Sequence, residues 1–498
     1  MEDGLQGVPA ALDNGCADAE DALPDFFATD FFAEDDEAEE EEEVKSSTKS
    51  RKAQKRSERA CARAAHEKAN TRELRALFEV LKALPAALPG LASEQEAART
   101  LATDSTLADS LGGKGKGKVG KPRNIAPDLE EVESALAAAE AALQTPCPYR
   151  SLPEVCGPCG GVEVLASMVD RPPKYQEKYL AQELSLLAKV WALAGGKDDP
   201  SRHDEGRLAV IDIGAGNGCL ALLAAVLLDA HAVMIDHTLP PEPLRVEDKV
   251  PEPWKSLVLR VTGDVADLDA MGALEPLLAR HGIRRVIVIA KHLCGVGTDL
   301  ALRLVSRWCK SSRDGSGSSE AGVTVLGAVF ATCCGHKIGE ADRQIYSELH
   351  AGDSYLMAST GNDAERLQQL LKLCTRCVAW RTTAGAAANR ITPLQVRAAE
   401  LFEDALQQPR LNMLKSIFPS AVEVAFVPQR SSPQNRCLIA GSEAGVRRAA
   451  ASGEGEAAAA ECLAALSAAR DKLIAACGGP LDLKPHGFVS SKYDYDGM

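Results

Sequence analysis

The sequence predicts an α/β protein: a doubly wound sheet with a reversed last strand, preceded by a long polar region at the N-terminus. Three features carry this prediction. Short apolar runs alternate with helical stretches from about residue 206 onward, and a glycine-rich turn joins the first run to its helix. The last two runs are separated by nine residues with a turn at Ser431-Ser-Pro-Gln-Asn435, too few for the crossover that parallel strands need.

In order, Leu208–Ile213 is read as the first strand and Cys219–Leu228 as its helix, followed by strands at Ala232–Ile235 and Leu257–Val261. Val286–Ala290 is the fourth strand, with a helix at Asp299–Lys310. Val323–Phe330 is the fifth. Helices at Ala364–Cys374 and Pro393–Leu406 lead to a closing hairpin, Val422–Val427 and Cys437–Ala440. A helix at Tyr175–Leu193 precedes the sheet, and an alanine-rich helix, Glu454–Cys477, follows it. The reversed ending is that of the Rossmann-like sheet in its methyltransferase form rather than its NAD-binding form. The expected division is 1–145, a largely disordered acidic then basic region with short helices; 146–205, a cysteine-containing lead-in; 206–441, the cofactor domain; and 442–498, a helix and tail.

Charge is unevenly placed. The formal net charge is −15, yet 17 of the 71 acidic residues lie in the first 44, which hold no Lys or Arg. The remaining 54 nearly balance the 56 basic residues, so the acidic total does not exclude a nucleic-acid substrate. Acidic Glu34–Glu43 and basic Lys45–Arg59 solvate better than they pack. The phenylalanine pairs in Asp25-Phe-Phe-Ala-Thr-Asp-Phe-Phe32 are either a docking segment for a protein partner or part of a solvating tail. Lys49–Arg56 is a candidate nuclear address, and Gly112-Gly-Lys-Gly-Lys-Gly-Lys118 either touches phosphate or is a spacer. Helices are read at Glu58–Leu84 and, capped by Asp128, at Asp128–Leu143. Fifteen irregularly spaced cysteines suggest a reducing compartment, cytoplasm or nucleus. No apolar run approaches the roughly 20 residues that cross a bilayer.

The cofactor residues follow from the strand ends. In Ala209-Val-Ile-Asp-Ile-Gly-Ala-Gly-Asn-Gly218, the spacing of Gly214, Gly216 and Gly218 differs from the turn built around a pyrophosphate. It favours S-adenosylmethionine, with Asp212 and Asn217 in the same turn; a purely structural turn is the alternative. Asp236, ending the second strand, is placed to accept from ribose hydroxyls, and Asp264, after the third, to reach the adenine amino group.

Lys291-His-Leu-Cys-Gly-Val-Gly-Thr-Asp299, with Leu-Ala-Leu-Arg303 after it, resembles the eukaryotic tRNA 2′-O-methyltransferases that modify the fourth acceptor-stem nucleotide. The resemblance continues in Ala331-Thr-Cys-Cys-Gly-His-Lys337, in Trp380-Arg-Thr-Thr-Ala-Gly385 and in Ser432-Pro-Gln-Asn-Arg-Cys-Leu-Ile-Ala440, and covers about residues 170 to 441. Gly335 stands where that family has a histidine. The family's zinc modules are not recognisable around Cys147, Cys156 and Cys159. The resemblance implies a tRNA substrate and S-adenosylmethionine; the alternatives are another RNA, a protein side chain, or binding without turnover.

Transfer to a ribose hydroxyl needs alignment and help with its proton. Lys291 or His292 is expected to polarise or deprotonate that hydroxyl, with Asp299 as orienter, and His336 and Lys337 to share the role or hold phosphate. A lysine directly after Val-Ile-Val-Ile-Ala290 is costly unless it serves something. Cys294, Cys333 and Cys334 leave open a thiolate that adds to a pyrimidine.

Overall fold

The computed structural model describes Phe78 and residues 129–143, 147–195, 206–267, 274–291, 293–311, 323–332, 335–382, 391–451 and 456–483. The chain divides into two units, Met1–Ala69 and Asn70–Met498, and every described residue falls in the second. The acidic and basic tail, the Glu58–Leu84 helix apart from Phe78, and the glycine-lysine linker lie outside the described residues, as do His292, Cys333 and Cys334.

Helix α1 (Leu129–Leu143) precedes the lead-in, which contains α2 (Gly161–Met168), the two-residue strand β1 (Val169–Asp170) and α3 (Pro173–Leu193). Then come β2 (Arg207–Ile213), α4 (Cys219–Leu228), β3 (His231–Asp236), α5 (Trp254–Leu257) and β4 (Val258–Thr262). The alternation continues through α6 (Leu274–Arg280), β5 (Ile283–Lys291), α7 (Gly297–Ser311) and β6 (Thr324–Thr332). Helices α8 (Glu340–Leu349), α9 (Ser354–Thr360), α10 (Ala364–Thr382) and α11 (Pro393–Ile417) follow. The chain closes with β7 (Ser420–Ala425), β8 (Arg436–Gly441), α12 (Glu443–Ala449), α13 (Glu456–Cys477) and β9 (Leu481–Asp482).

Seven strands form one sheet in the order β4-β3-β2-β5-β6-β8-β7. The pairs from β4 to β6 are parallel, and β8 runs antiparallel to both β6 and β7, so the expected reversal is present. Alternate residues face two separate cores. Val210, Met234, Ile287 and Ile289 pack toward α3, α4 and α13, whereas Ile211, Val233, Val288 and Phe330 pack toward α6, α7 and α11. Helix α4 is buried at all ten positions because α3 and α13 also pack against it, which explains its unbroken apolar composition.

Two findings depart from the sequence reading. Among the described residues four α-helices, not two, lie between β6 and β7 and share a third core with α1; Tyr346 and Phe402 are buried in it. Helix α11 also runs to Ile417, straight through Pro409, rather than stopping at Leu406. Proline removes one backbone hydrogen bond. Here that loss is offset by burial of the segment around it, including Leu411, Leu414 and the charged head of Arg410. The pairing of β1 with β9 joins the lead-in to the chain's far end. Residues from the lead-in, the sheet and α13 share one core.

Candidate functional site

At the carboxyl edge of the parallel strands lies a cavity of about 800 Å³. This is where open α/β sheets bind ligands, because loops diverge there between strand ends and helix starts. Its wall includes Asp212, Gly214, Gly216, Asn217, Asp236, Asp264, Lys291, Cys294 and Lys337, residues drawn from five strand ends or the segments that follow them. Residues expected at the site from sequence alone therefore converge on one space.

The turn after β2 needs its glycines. Gly216 has φ +53°, and a Cβ placed there would meet nothing within 4 Å, so the backbone faces open cavity. Gly218 has φ +86°, and a Cβ would lie 2.0 Å from Met234 Sδ. Gly218 is not on the cavity wall, and its small size lets the turn pack on β3. Asn217 Oδ1 accepts from the Cys219 N–H at 3.1 Å, capping the start of α4.

Asp236 supports the same turn. Its Oδ2 accepts from the Gly216 N–H at 2.8 Å and its Oδ1 from the Thr238 N–H at 3.1 Å. Arg260 donates to the Gly216 carbonyl at 2.9 Å while paired with Glu247. Asp264 accepts from the Ala266 N–H at 2.8 Å with one oxygen, so it shapes its own loop as well as the wall.

Lys291 at the end of β5 is joined to a residue that the sequence reading did not single out. Its Nζ lies 2.7 Å from Oε1 of Glu183, on α3. Glu183 also accepts from the Tyr175 hydroxyl at 2.8 Å and, through Oε2, from Arg171 at 2.6 Å. Tyr175, Tyr179 and Glu183 all line the cavity. The signal available in sequence was a lone glutamate in the apolar stretch of the helix from Tyr175 to Leu193, a position that demands cationic partners.

Two buried carboxyls in this wall are driven in opposite directions. Burial raises the Glu183 carboxyl, but the Lys291 and Arg171 charges outweigh it and hold it at about 2. Asp212 is pushed up to about 8, first by burial and then by the negative charges of Asp236 and Glu183, against the pull of Lys291 and Arg260. Its carboxyl accepts no hydrogen bond from a described residue. Neighbouring acids with such divergent affinities for protons are a recurring feature of reactive sites.

Asp299 is not on the wall of this cavity. It is fully buried in α7, where Arg410 donates to both oxygens at 2.8 and 2.6 Å and His350 Nε2 lies 2.9 Å from Oδ1. These contacts hold α7 to α11 and to the end of α8. The His336 backbone lies in a single turn of 3-10 helix, Gly335–Lys337, and its side chain is outside the described residues. Cys147, Cys156 and Cys159 are free thiols, the last two exposed. Among the described residues no group of three His, Cys, Asp or Glu side chains is arranged to hold a metal ion, and no helix is long and apolar enough to cross a membrane.

A strand-to-helix glycine turn, an acid ending one neighbouring strand and a lysine ending the other meet at the edge where open sheets of the α/β class bind ligands. The class narrows on comparison. The family model described as Methyltransferase TRM13 matches residues 197–400, so that span is similar to the methyltransferases of this family. The resemblance read from the Lys291–Asp299 block is thereby borne out. Searches of curated proteins and of solved structures found no match.

Proposed function

We propose that this protein is an S-adenosylmethionine-dependent tRNA methyltransferase that modifies the ribose 2′-hydroxyl of the fourth acceptor-stem nucleotide. Its sheet is read as the Rossmann-like methyltransferase form, on the strength of the reversed β8. The observation that carries the reading is the convergence of the Gly214–Asn217 turn, Asp236, Asp264 and Lys291 on one cavity. A volume of about 800 Å³ suits a ligand of this size.

The residues present fit the donor. Gly216 leaves its wall open, Asp236 retains lone pairs for ribose hydroxyls, and Asp264 has one carboxyl oxygen beyond its loop contact. Asp212 is a buried carboxyl without a hydrogen bond from the described chain, suited to a ligand bearing positive charge. When bound, S-adenosylmethionine supplies an electrophilic methyl group. The protein's contribution is alignment and polarisation: Lys291, an ammonium with three donors, has Glu183 on one of them and offers another to the acceptor oxygen. Lys337, exposed at the cavity rim, is suited to a backbone phosphate. A reducing compartment, cytoplasm, nucleus or both, fits the fifteen irregularly spaced cysteines.

Methylation of total tRNA followed by nucleoside mass analysis tests this. The expected product is a 2′-O-methylated nucleoside at the fourth position. A tRNA with a 2′-deoxy sugar there should bind and accept no methyl group, because only the 2′-hydroxyl has been removed. Full incorporation at the deoxy nucleotide would overturn ribose methylation and make Cys294, Cys333 and Cys334 candidate nucleophiles. Methylation of another RNA or a protein in place of tRNA would overturn the substrate.

A further inference from the structure

Behind Lys291 stands a cluster that donor binding does not require. Glu183 is 1% exposed and receives three donors: Lys291 and Tyr175 on Oε1, Arg171 on Oε2. Arg171 is itself 3% exposed, donates to Cys219 Sγ at 2.9 Å and lies 4.9 Å from the Tyr175 ring centre. The carboxylate is thus gripped by Tyr175 of α3, by Arg171 in the segment before it and by Lys291 at the end of β5 at once. Lys291 Nζ also lies 5.2 Å from the ring centre of Tyr179 and 5.8 Å from that of Tyr175.

We propose that Glu183 is a positioning residue for methyl transfer: its carboxylate fixes the Lys291 ammonium at the cavity wall, with Arg171 and Tyr175 fixing the carboxylate in turn. The inference rests on the reading that Lys291 acts at the acceptor hydroxyl. A lysine head on four methylenes samples many rotamers, and placing it costs entropy at each turnover unless the fold has already done so. Glu183 performs that placement because its own rotamer is fixed by two further donors from rigid elements. Two cations on one carboxylate also explain why the cluster is tolerated where it is buried: the Lys291 and Arg171 charges stabilise the ionised form against desolvation. A glutamate present only to neutralise Arg171 would not need to reach the catalytic lysine as well. The two roles differ in how they respond to loss of Lys291.

The test uses the full chain with Glu183→Gln, Glu183→Asp, Lys291→Met and the Glu183→Gln/Lys291→Met double variant. Donor affinity is measured by calorimetry and single-turnover methyl transfer on total tRNA. Glu183→Gln should slow transfer by about 10- to 100-fold, the size expected for a lost charge-assisted hydrogen bond, with donor affinity nearly unchanged. In the Lys291→Met background the same change should have less than about twofold effect, since coupled residues are non-additive. Glu183→Asp, which keeps the charge on a shorter stem, should fall between. A readout independent of turnover is amine labelling followed by peptide mass analysis: Lys291 should react about tenfold faster in Glu183→Gln than in the wild type. Equal slowing in both backgrounds, or unchanged Lys291 labelling, overturns the proposal. Should Glu183→Gln fail to fold, Glu183→Asp with and without Lys291→Met decides by the same criteria. Wild-type protein that transfers no methyl group to tRNA would sink the substrate reading instead, while the labelling result still decides whether Glu183 holds Lys291.

Discussion

Asp299 and Arg410, 111 residues apart, form a two-pronged ion pair in which both carboxylate oxygens are used and both side chains are fully buried. Burial raises the Asp299 carboxyl, but Arg410 and His350 outweigh it and hold it below the usual carboxylate range. The pair lies between α7 and α11, directly behind the loop that follows Lys291. Geometry of this kind serves the fold, and the loop depends on it.

Arg410→Met should therefore cost stability, about 3 to 5 kcal/mol, because it leaves a buried carboxylate with only His350. Urea unfolding at neutral pH measures the loss. Because the native carboxyl binds protons less readily than the unfolded one, the pair's contribution is complete above about pH 4 and declines as pH falls further. The midpoint difference between wild type and Arg410→Met should shrink in acid. A difference that stays constant down to pH 2 would show that the charge pair is not what Arg410 contributes.

Asp212 carries the opposite prediction. Its native carboxyl is raised to about 8, so its stability contribution is full below the unfolded value near 4 and is lost as pH rises toward 8. Asp212→Asn should melt at a higher temperature than wild type at pH 8 and lose that advantage near pH 4. Binding of a positively charged donor needs the ionised form, so wild-type donor affinity should climb with pH until about 8. Calorimetry across that range should find a flat and weaker profile in Asp212→Asn. A wild-type profile without slope would remove Asp212 from the donor site.

For Asp236, the Gly216 N–H contact and the expected ribose contact both depend on carboxylate oxygens. Asp236→Ala should weaken donor binding by about 1.5 to 3 kcal/mol while the protein remains folded by circular dichroism. Asp236→Asn, which keeps one acceptor oxygen, should lose less. Donor affinity unchanged in a folded Asp236→Ala protein would mean that the cofactor lies elsewhere.

The sequence by itself determined the sheet, the glycine turn and the acids after β3 and β4. Each rests on a local rule: apolar alternation across a pleat, positive φ that only glycine tolerates easily, and a polar residue where a buried strand ends. It also marked Lys291, whose place after an apolar strand demands a purpose. Only the tertiary structure decided what the charges pair with. Glu183 meets Lys291 across 108 residues, and Asp299 is claimed by Arg410 rather than by the cavity. Helix α11 passes through Pro409 because surrounding burial outweighs one missing backbone bond. Local signals are written in spacing and residue type, whereas the partner of a buried charge is set by which helices pack together, and no short stretch of sequence contains that information.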